Sequence, residues 1–112
     1  MDAKLLLKLT DNDGNSFFGP GVAELFSLID ETGSVRHASE EMGLSYSKAW
    51  KMIRGIEKAT GKEAVSRRQG GKGGGMAQLT ESGKHLLKSF RALENDVGNY
   101  LQTVKGNYLE KN

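Results

Sequence analysis

Between Ser45 and Met76 the chain sets eight basic residues, Lys48, Lys51, Arg54, Lys58, Lys62, Arg67, Arg68 and Lys72, against two acidic ones, Glu57 and Glu63. Cations clustered in this way do electrostatic chemistry on a polyanion: they displace condensed counterions from a row of phosphates, which the same charges scattered over a surface would not. The formal net charge of the whole chain is only +2, so the remainder is acidic and the imbalance is local. The bland alternative is a solvated surface with a local excess of one sign.

The second concentration of chemistry is "RRQGGKGGGMAQLT", Arg67 to Thr80, which packs five glycines around Lys72. Two phosphate-binding motifs can be tested against it. A Walker-type loop needs glycine, four residues, then Gly-Lys followed by Ser or Thr; here Ser66 stands where the first glycine belongs, and Lys72 is followed by Gly73. A dinucleotide fingerprint starting at Gly71 needs glycine where Met76 stands, and it must open a helix. Neither fits. A hairpin tip remains, in which missing side chains let the backbone and Lys72 come close to a phosphate chain.

Other chemistries fail on residue types. With no cysteine, there are no disulfides, thiolate nucleophiles or Cys-ligated metal sites. The two histidines, His37 and His85, fall on separate expected helices and lack a third ligand, so no metal is expected. Glu40 and Glu41 are adjacent on a short helix and point apart, which suits a solvated face rather than an acid/base pair. No nucleophile has a neighbouring base, so an enzyme is the weakest class and no cofactor is expected. At 112 residues and 37% hydrophobic, the chain has the size of a single domain over 1–112. No apolar run approaches the ~20 residues of a membrane span, and a cytoplasmic location is expected.

The elements that must carry these groups read in order. "KLLLKL", "DNDGN" and "SFF" predict a short strand, a tight turn and a second strand. "GPGVAELFSLIDETG" predicts a helix with Pro20 in its first turn, a core stripe of Val22, Leu25, Phe26 and Ile29, and a stop at Gly33. Ser34 caps a short helix with Val35, Ala38 and Met42 inward and Gly43 as its stop; Ser45 caps a longer one that ends at Gly61. A short helix, a Gly-containing turn and a longer helix make a helix-turn-helix over about 34–60. At about 100° per residue, Ser47, Lys51, Arg54 and Lys58 oppose Ala49, Ile53 and Ile56, with Trp50 between the faces as a packing residue first and a ligand contact second. A hairpin over about 64–79 follows. A final helix over about 81–105 is capped by Thr80 and carries Leu86, Phe90, Leu93, Val97, Tyr100 and Val104 in a heptad seam. The fold class is therefore mainly α within α+β: a winged helix-turn-helix with an N-terminal β-hairpin and a long C-terminal dimerisation helix.

"ASEEMGLSYSKAWKMIRGIE" followed by "SRRQGGKGGGMAQLTESGKHLL" resembles the N-terminal DNA-binding domain of the ModE molybdenum-responsive regulators, relatives of the LysR-type winged helix. The most specific parts are Ser45, Tyr46, Ala49, Trp50 and Ile53, and the string Gly70 to Gly75 with Leu79, Thr80 and Gly83; the likeness runs from about Gly19 to Leu93. It implies that the second helix of the motif reads the major groove of double-stranded DNA and that the glycine-rich wing follows the backbone. The first and last helices are implied to form a homodimer. Those roles fall on Ser45, Tyr46, Ser47, Lys48, Lys51 and Arg54 for the groove and on Arg67, Arg68 and Lys72 for phosphates. Ser34 and His37 join the DNA-facing set from the first helix of the motif, His37 either near a phosphate or facing solvent. Full-length members continue into C-terminal domains that bind the oxyanion; this chain reaches Asn112 just after the linker helix, so no oxyanion-binding domain is expected and molybdate sensing does not follow from the likeness. The rival reading is a winged helix used as a protein-interaction module. Placement of charge separates the two, because only a DNA binder needs cations on both the groove helix and the wing.

Overall fold

The computed structural model describes residues 1–67 and 76–109. Two strands open the chain, β1 (Leu9–Thr10) and β2 (Ser16–Phe18), paired antiparallel with Leu9 opposite Phe18 and an irregularity between Leu9 and Thr10. The turn between them is closed by the Asp11 carboxylate, which accepts from the backbone N–H groups of Asp13 and Asn15, each at 2.9 Å, while Gly14 takes φ 84°. Such an aspartate-centred turn fixes the hairpin with little help from the strands. Of the six residues "KLLLKL" expected as a strand, only Leu9 is one. The reason lies in β2, which offers just three residues before Gly19 and Pro20, and Pro20 has no N–H to extend the ladder. Leu7 and Leu9 pack on the core, whereas Leu5 and Leu6 are exposed.

Helices α1 (Pro20–Thr32), α2 (Val35–Glu41) and α3 (Tyr46–Thr60) follow. Each start and stop has a local cause. Pro20 occupies the first turn of α1, and the Ser34 and Ser45 hydroxyls accept from the N–H groups of His37 and Lys48 at 3.0 and 3.1 Å. Gly33 and Gly61 end α1 and α3 in the left-handed conformation, at φ 70° and 71°. The α2–α3 turn is closed by Leu44 N–H donating to the Ser39 carbonyl at 2.9 Å.

Strands β3 (Val65–Arg67) and β4 (Ala77–Leu79) pair antiparallel on either side of the glycine segment. Helix α4 (Glu81–Val104) and the single turn α5 (Gly106–Leu109) complete the chain. The wing is tied in at three places. Ala77 N–H donates to the Gly33 carbonyl at 2.9 Å, and Ser34 bridges to Met76. The Glu57 carboxylate of α3 accepts from Ala64 N–H at 2.8 Å. Thr80 accepts from Gly83 N–H at 3.1 Å and donates to the Glu63 carbonyl at 2.6 Å. The core gathers Phe18, Leu25, Phe26, Ile29, Val35, Ile53, Ile56, Val65, Leu79 and Phe90. Its centre is aromatic: Phe18 meets Phe26 edge-on at 5.4 Å and Phe90 at 5.0 Å between ring centroids. The architecture is a winged helix-turn-helix. Its extents of 62 × 30 × 22 Å are those of an elongated molecule, because the second half of α4 runs past the core.

Candidate nucleic-acid interface

Helix α3 buries Ala49, Ile53 and Ile56 completely against α1 and α2, and this burial turns the opposite face outward. Ser47, Lys48, Lys51, Arg54 and Lys58 are all exposed. The cap geometry limits Ser45: its oxygen already accepts from Lys48 N–H, but its hydroxyl hydrogen stays free for an outside acceptor. Ser34 is in the same position with His37. The His37 ring is exposed and lies 3.3 Å from the Glu41 carboxylate, so an anion arriving there meets a carboxylate as well as an imidazole.

The wing joins this face through Arg67. On β3 the side chains alternate, so Arg67 shares with buried Val65 the sheet face turned toward the helices. Its guanidinium stacks over the Trp50 ring, with Cζ 4.4 Å from the centroid. Arg54, one turn after Trp50 on α3, lies 5.8 Å from the same ring. Tyr46 meets Trp50 edge-on at 6.5 Å and carries Arg36 of α2 over its own ring at 4.4 Å. Tyr46, Ser47, Trp50, Lys51, Arg54 and Arg67 together line an open depression of 390 Å³. Trp50 itself is half-buried, and its indole Nε1–H is buried without an acceptor among the described residues.

Lys51 also borders a larger groove of 840 Å³ between α3 and the first hairpin, where Lys58 faces the turn residues Asp11, Asn12 and Asp13. The cationic face is therefore bounded on one side by an acidic turn. Among the described residues no cluster of three or more His, Asp or Glu could hold a metal, and no helix is long and apolar enough to cross a membrane.

Residues 22–84 match the model of the bacterial regulatory helix-turn-helix proteins of the lysR family. The chain belongs to that family. The expected likeness to the ModE regulators is found as well: the chain is 32% identical over 109 residues to the transcriptional regulator ModE of Yersinia pestis, covering 97% of this chain and 41% of that protein. It is 33% identical over 93 residues to the DNA-binding transcriptional dual regulator ModE of Escherichia coli K12, covering 83% and 35%. The molybdenum-pterin-binding protein MopB of Rhodobacter capsulatus is 35% identical over 81 residues, covering 72% and 30%. The chain thus spans well under half the length of these relatives. Membership of the lysR family places it among regulators and not among enzymes.

Of the expected DNA-facing set, α3 and Arg67 bring Tyr46, Ser47, Lys51 and Arg54 to one depression, with Ser45 and Lys48 at the helix start. Ser34 and His37 stand at the start of α2. Arg68 and Lys72 lie outside the described residues. Two residues beside this site escaped sequence reasoning, Arg36 and Glu57, while Trp50, expected to pack first and touch a ligand second, also lies under the Arg67 guanidinium. Arg36 and Glu57 act through contacts made across elements, and neither belongs to a spacing pattern.

The expected seam on α4 needs correction. Phe90 is 1% exposed within the core, against Phe18 and away from the surface, and Leu86 packs on the same cluster. Leu93 and Tyr100 are exposed, at 44% and 68%, and Val97 and Val104 are half-buried. A heptad stripe drawn through all six residues joins two different surroundings.

Proposed function

We propose that the protein is a sequence-specific double-stranded-DNA-binding transcriptional regulator acting in the cytoplasm as a homodimer, with α3 in the major groove and the wing along the backbone. The observation that carries this reading is that Arg67 of β3 and Lys51 and Arg54 of α3 border one open depression. Cations from two elements converge there, as contact with a single polyanion requires. A side chain on α3 that reaches a base edge supplies discrimination, whereas the wing cations supply a sequence-independent, salt-dependent hold. The interaction-module alternative asks for no such convergence and is not favoured. No oxyanion enters this reading, because the likeness that supports it runs through the helix-turn-helix and wing.

The homodimer reading rests on the second half of α4, where Leu93 and Tyr100 are exposed two turns apart on one helix. An apolar surface of this kind marks an interface. Two-fold symmetry would place two copies of α3 on successive turns of a palindromic duplex.

Selection of duplexes from a random pool, followed by titration across a salt series, tests the reading. Lys51→Ala or Arg54→Ala should lower affinity for the selected duplex by about 1–3 kcal/mol and narrow its advantage over random DNA. A wild-type chain that enriches no sequence, or variants that lose affinity equally for every duplex, would remove sequence-specific recognition from the proposal.

A further inference from the structure

Trp50 is the single tryptophan of the chain; it packs in part against the core, but packing alone does not call for an indole in that place. Its indole N–H is buried without an acceptor among the described residues, an expense that a phenylalanine in the same place would not incur. What tryptophan adds is the aromatic face that binds cations most strongly. Two guanidinium groups use that face or its margin. One is Arg54 from the same helix, and the other is Arg67 from a strand that joins α3 only through the tertiary fold.

We infer that Trp50 is a positioning residue that yokes the base of the wing to α3, holding Arg67 so that its guanidinium meets the phosphates that flank the groove entered by Arg54. This rests on the DNA-binding reading above. The physical reason is entropic: a free arginine on a three-residue strand samples many rotamers, and binding a phosphate would have to freeze them. Stacking at 4.4 Å settles most of that before DNA arrives. Because a planar guanidinium stacks through its face, its N–H edge stays available for phosphate oxygens. Lysine cannot do both.

The test compares Trp50→Leu, Trp50→Phe, Arg67→Ala, Arg67→Lys and the double variant Trp50→Leu/Arg67→Ala in the full chain. Without DNA, Arg67→Ala should change the emission maximum of Trp50 and raise its quenching by acrylamide. With the selected duplex, Trp50→Leu and Arg67→Ala should each weaken binding about three- to thirty-fold, and the double variant should be no weaker than the worse single one. The salt series gives the sharpest readout. Trp50→Leu removes no charge, yet it should reduce the salt slope by about one counterion, as Arg67→Ala does, because the arginine is no longer held against a phosphate. Trp50→Phe keeps a ring against the core but offers a weaker cation-binding face, so it should melt near wild type while still binding DNA less tightly. A packing role would instead lower melting temperature and affinity together. Unchanged emission in Arg67→Ala, or losses that multiply in the double variant, overturn the yoke while leaving DNA recognition standing. A wild-type chain that binds no duplex at low salt removes the recognition reading and this role with it.

Discussion

Helices α3 and α4 carry apolar residues at the same helical spacing, yet they are finished differently. Along α3 the whole stripe of Ala49, Ile53 and Ile56 is buried, so every polar residue opposite is free for a ligand. Along α4 the stripe changes surroundings near its middle: Gly83, Leu86, Leu87 and Phe90 belong to the protomer's core, while Leu93 and Tyr100 face outward. Periodicity says which residues share a face, and it does not say what that face meets. In α4 the same pattern is core for its first half and an open surface for its second.

The largest expected effect separates those halves. Phe90→Ala empties a ring-sized space beside Phe18 and should lower stability by about 3–5 kcal/mol in urea unfolding. Leu93→Asp, only three residues further on, should leave unfolding of the chain within about 0.5 kcal/mol of wild type and, on the homodimer proposal, abolish dimers on sedimentation. If Leu93→Asp unfolds the chain as Phe90→Ala does, the division of α4 is misplaced.

The start of α4 comes next. A Cβ on Gly83 would stand 2.2 Å from the Ala64 carbonyl oxygen, so helix and wing touch through bare backbone there. Gly83→Ala should cost about 1–3 kcal/mol by overpacking, despite the better helix propensity of alanine. A variant as stable as wild type would show that the wing moves aside at no cost. No equivalent exists on α3, where an added Cβ at Gly55 meets nothing within 4 Å, and Gly55→Ala should be neutral or stabilising.

Helix caps give a smaller contrast. Ser45 makes one hydrogen bond, to Lys48 N–H, and Ser45→Ala should cost about 1 kcal/mol. Thr80 caps α4 and also donates to the Glu63 carbonyl, so Thr80→Ala should cost more than Ser45→Ala in the same thermal melts. Equal losses would mean that the second bond contributes nothing.

How much of this could be read from the chain depends on how local its cause is. Ser34, Ser45 and Thr80 as caps, Gly33 and Gly61 as stops, and the inward face of α3 all follow from residues within a few positions of one another. The helix-turn-helix is therefore legible in the chain, and so is the exposed cationic face of α3. Spacing puts Phe90 on the seam, yet it packs in the core because its neighbour, Phe18, comes from far away in sequence. The Glu57 bond to Ala64, the Gly83 contact and the Trp50–Arg67 stack are likewise contacts between elements, and no run of residues announces them. The leading strand is shorter than expected for the opposite reason: β-compatible residues run from Lys4 to Leu9, but the partner β2 is too short to pair with them.

The smallest effect concerns what steadies the second half of α4 within the protomer. The leading segment lies alongside it: Lys105 Nζ pairs with the Asp2 carboxylate, and Gln102 Nε2 donates to the Ala3 carbonyl at 3.5 Å. The hydrogen bond from Lys105 holds the Asp2 carboxyl below its ordinary value, helped by the Ala3 N–H and by the lysine charge. A carboxyl depressed on folding contributes above its unfolded pKa, and that contribution is lost as pH falls through the lowered folded value. Asp2 is exposed, so solvent screens the pair, and Asp2→Asn should leave the melting temperature unchanged. Its trace should be local. Amide exchange near Leu101 and Lys105 should quicken in Asp2→Asn at neutral pH, and the difference from wild type should vanish once the solution is acid enough to protonate Asp2. The α3 amides, held by the core, should not respond in either protein. Equal exchange at Lys105 in both proteins at neutral pH would leave the leading segment no part in steadying α4, and its end would then depend on the helix alone or on a partner copy.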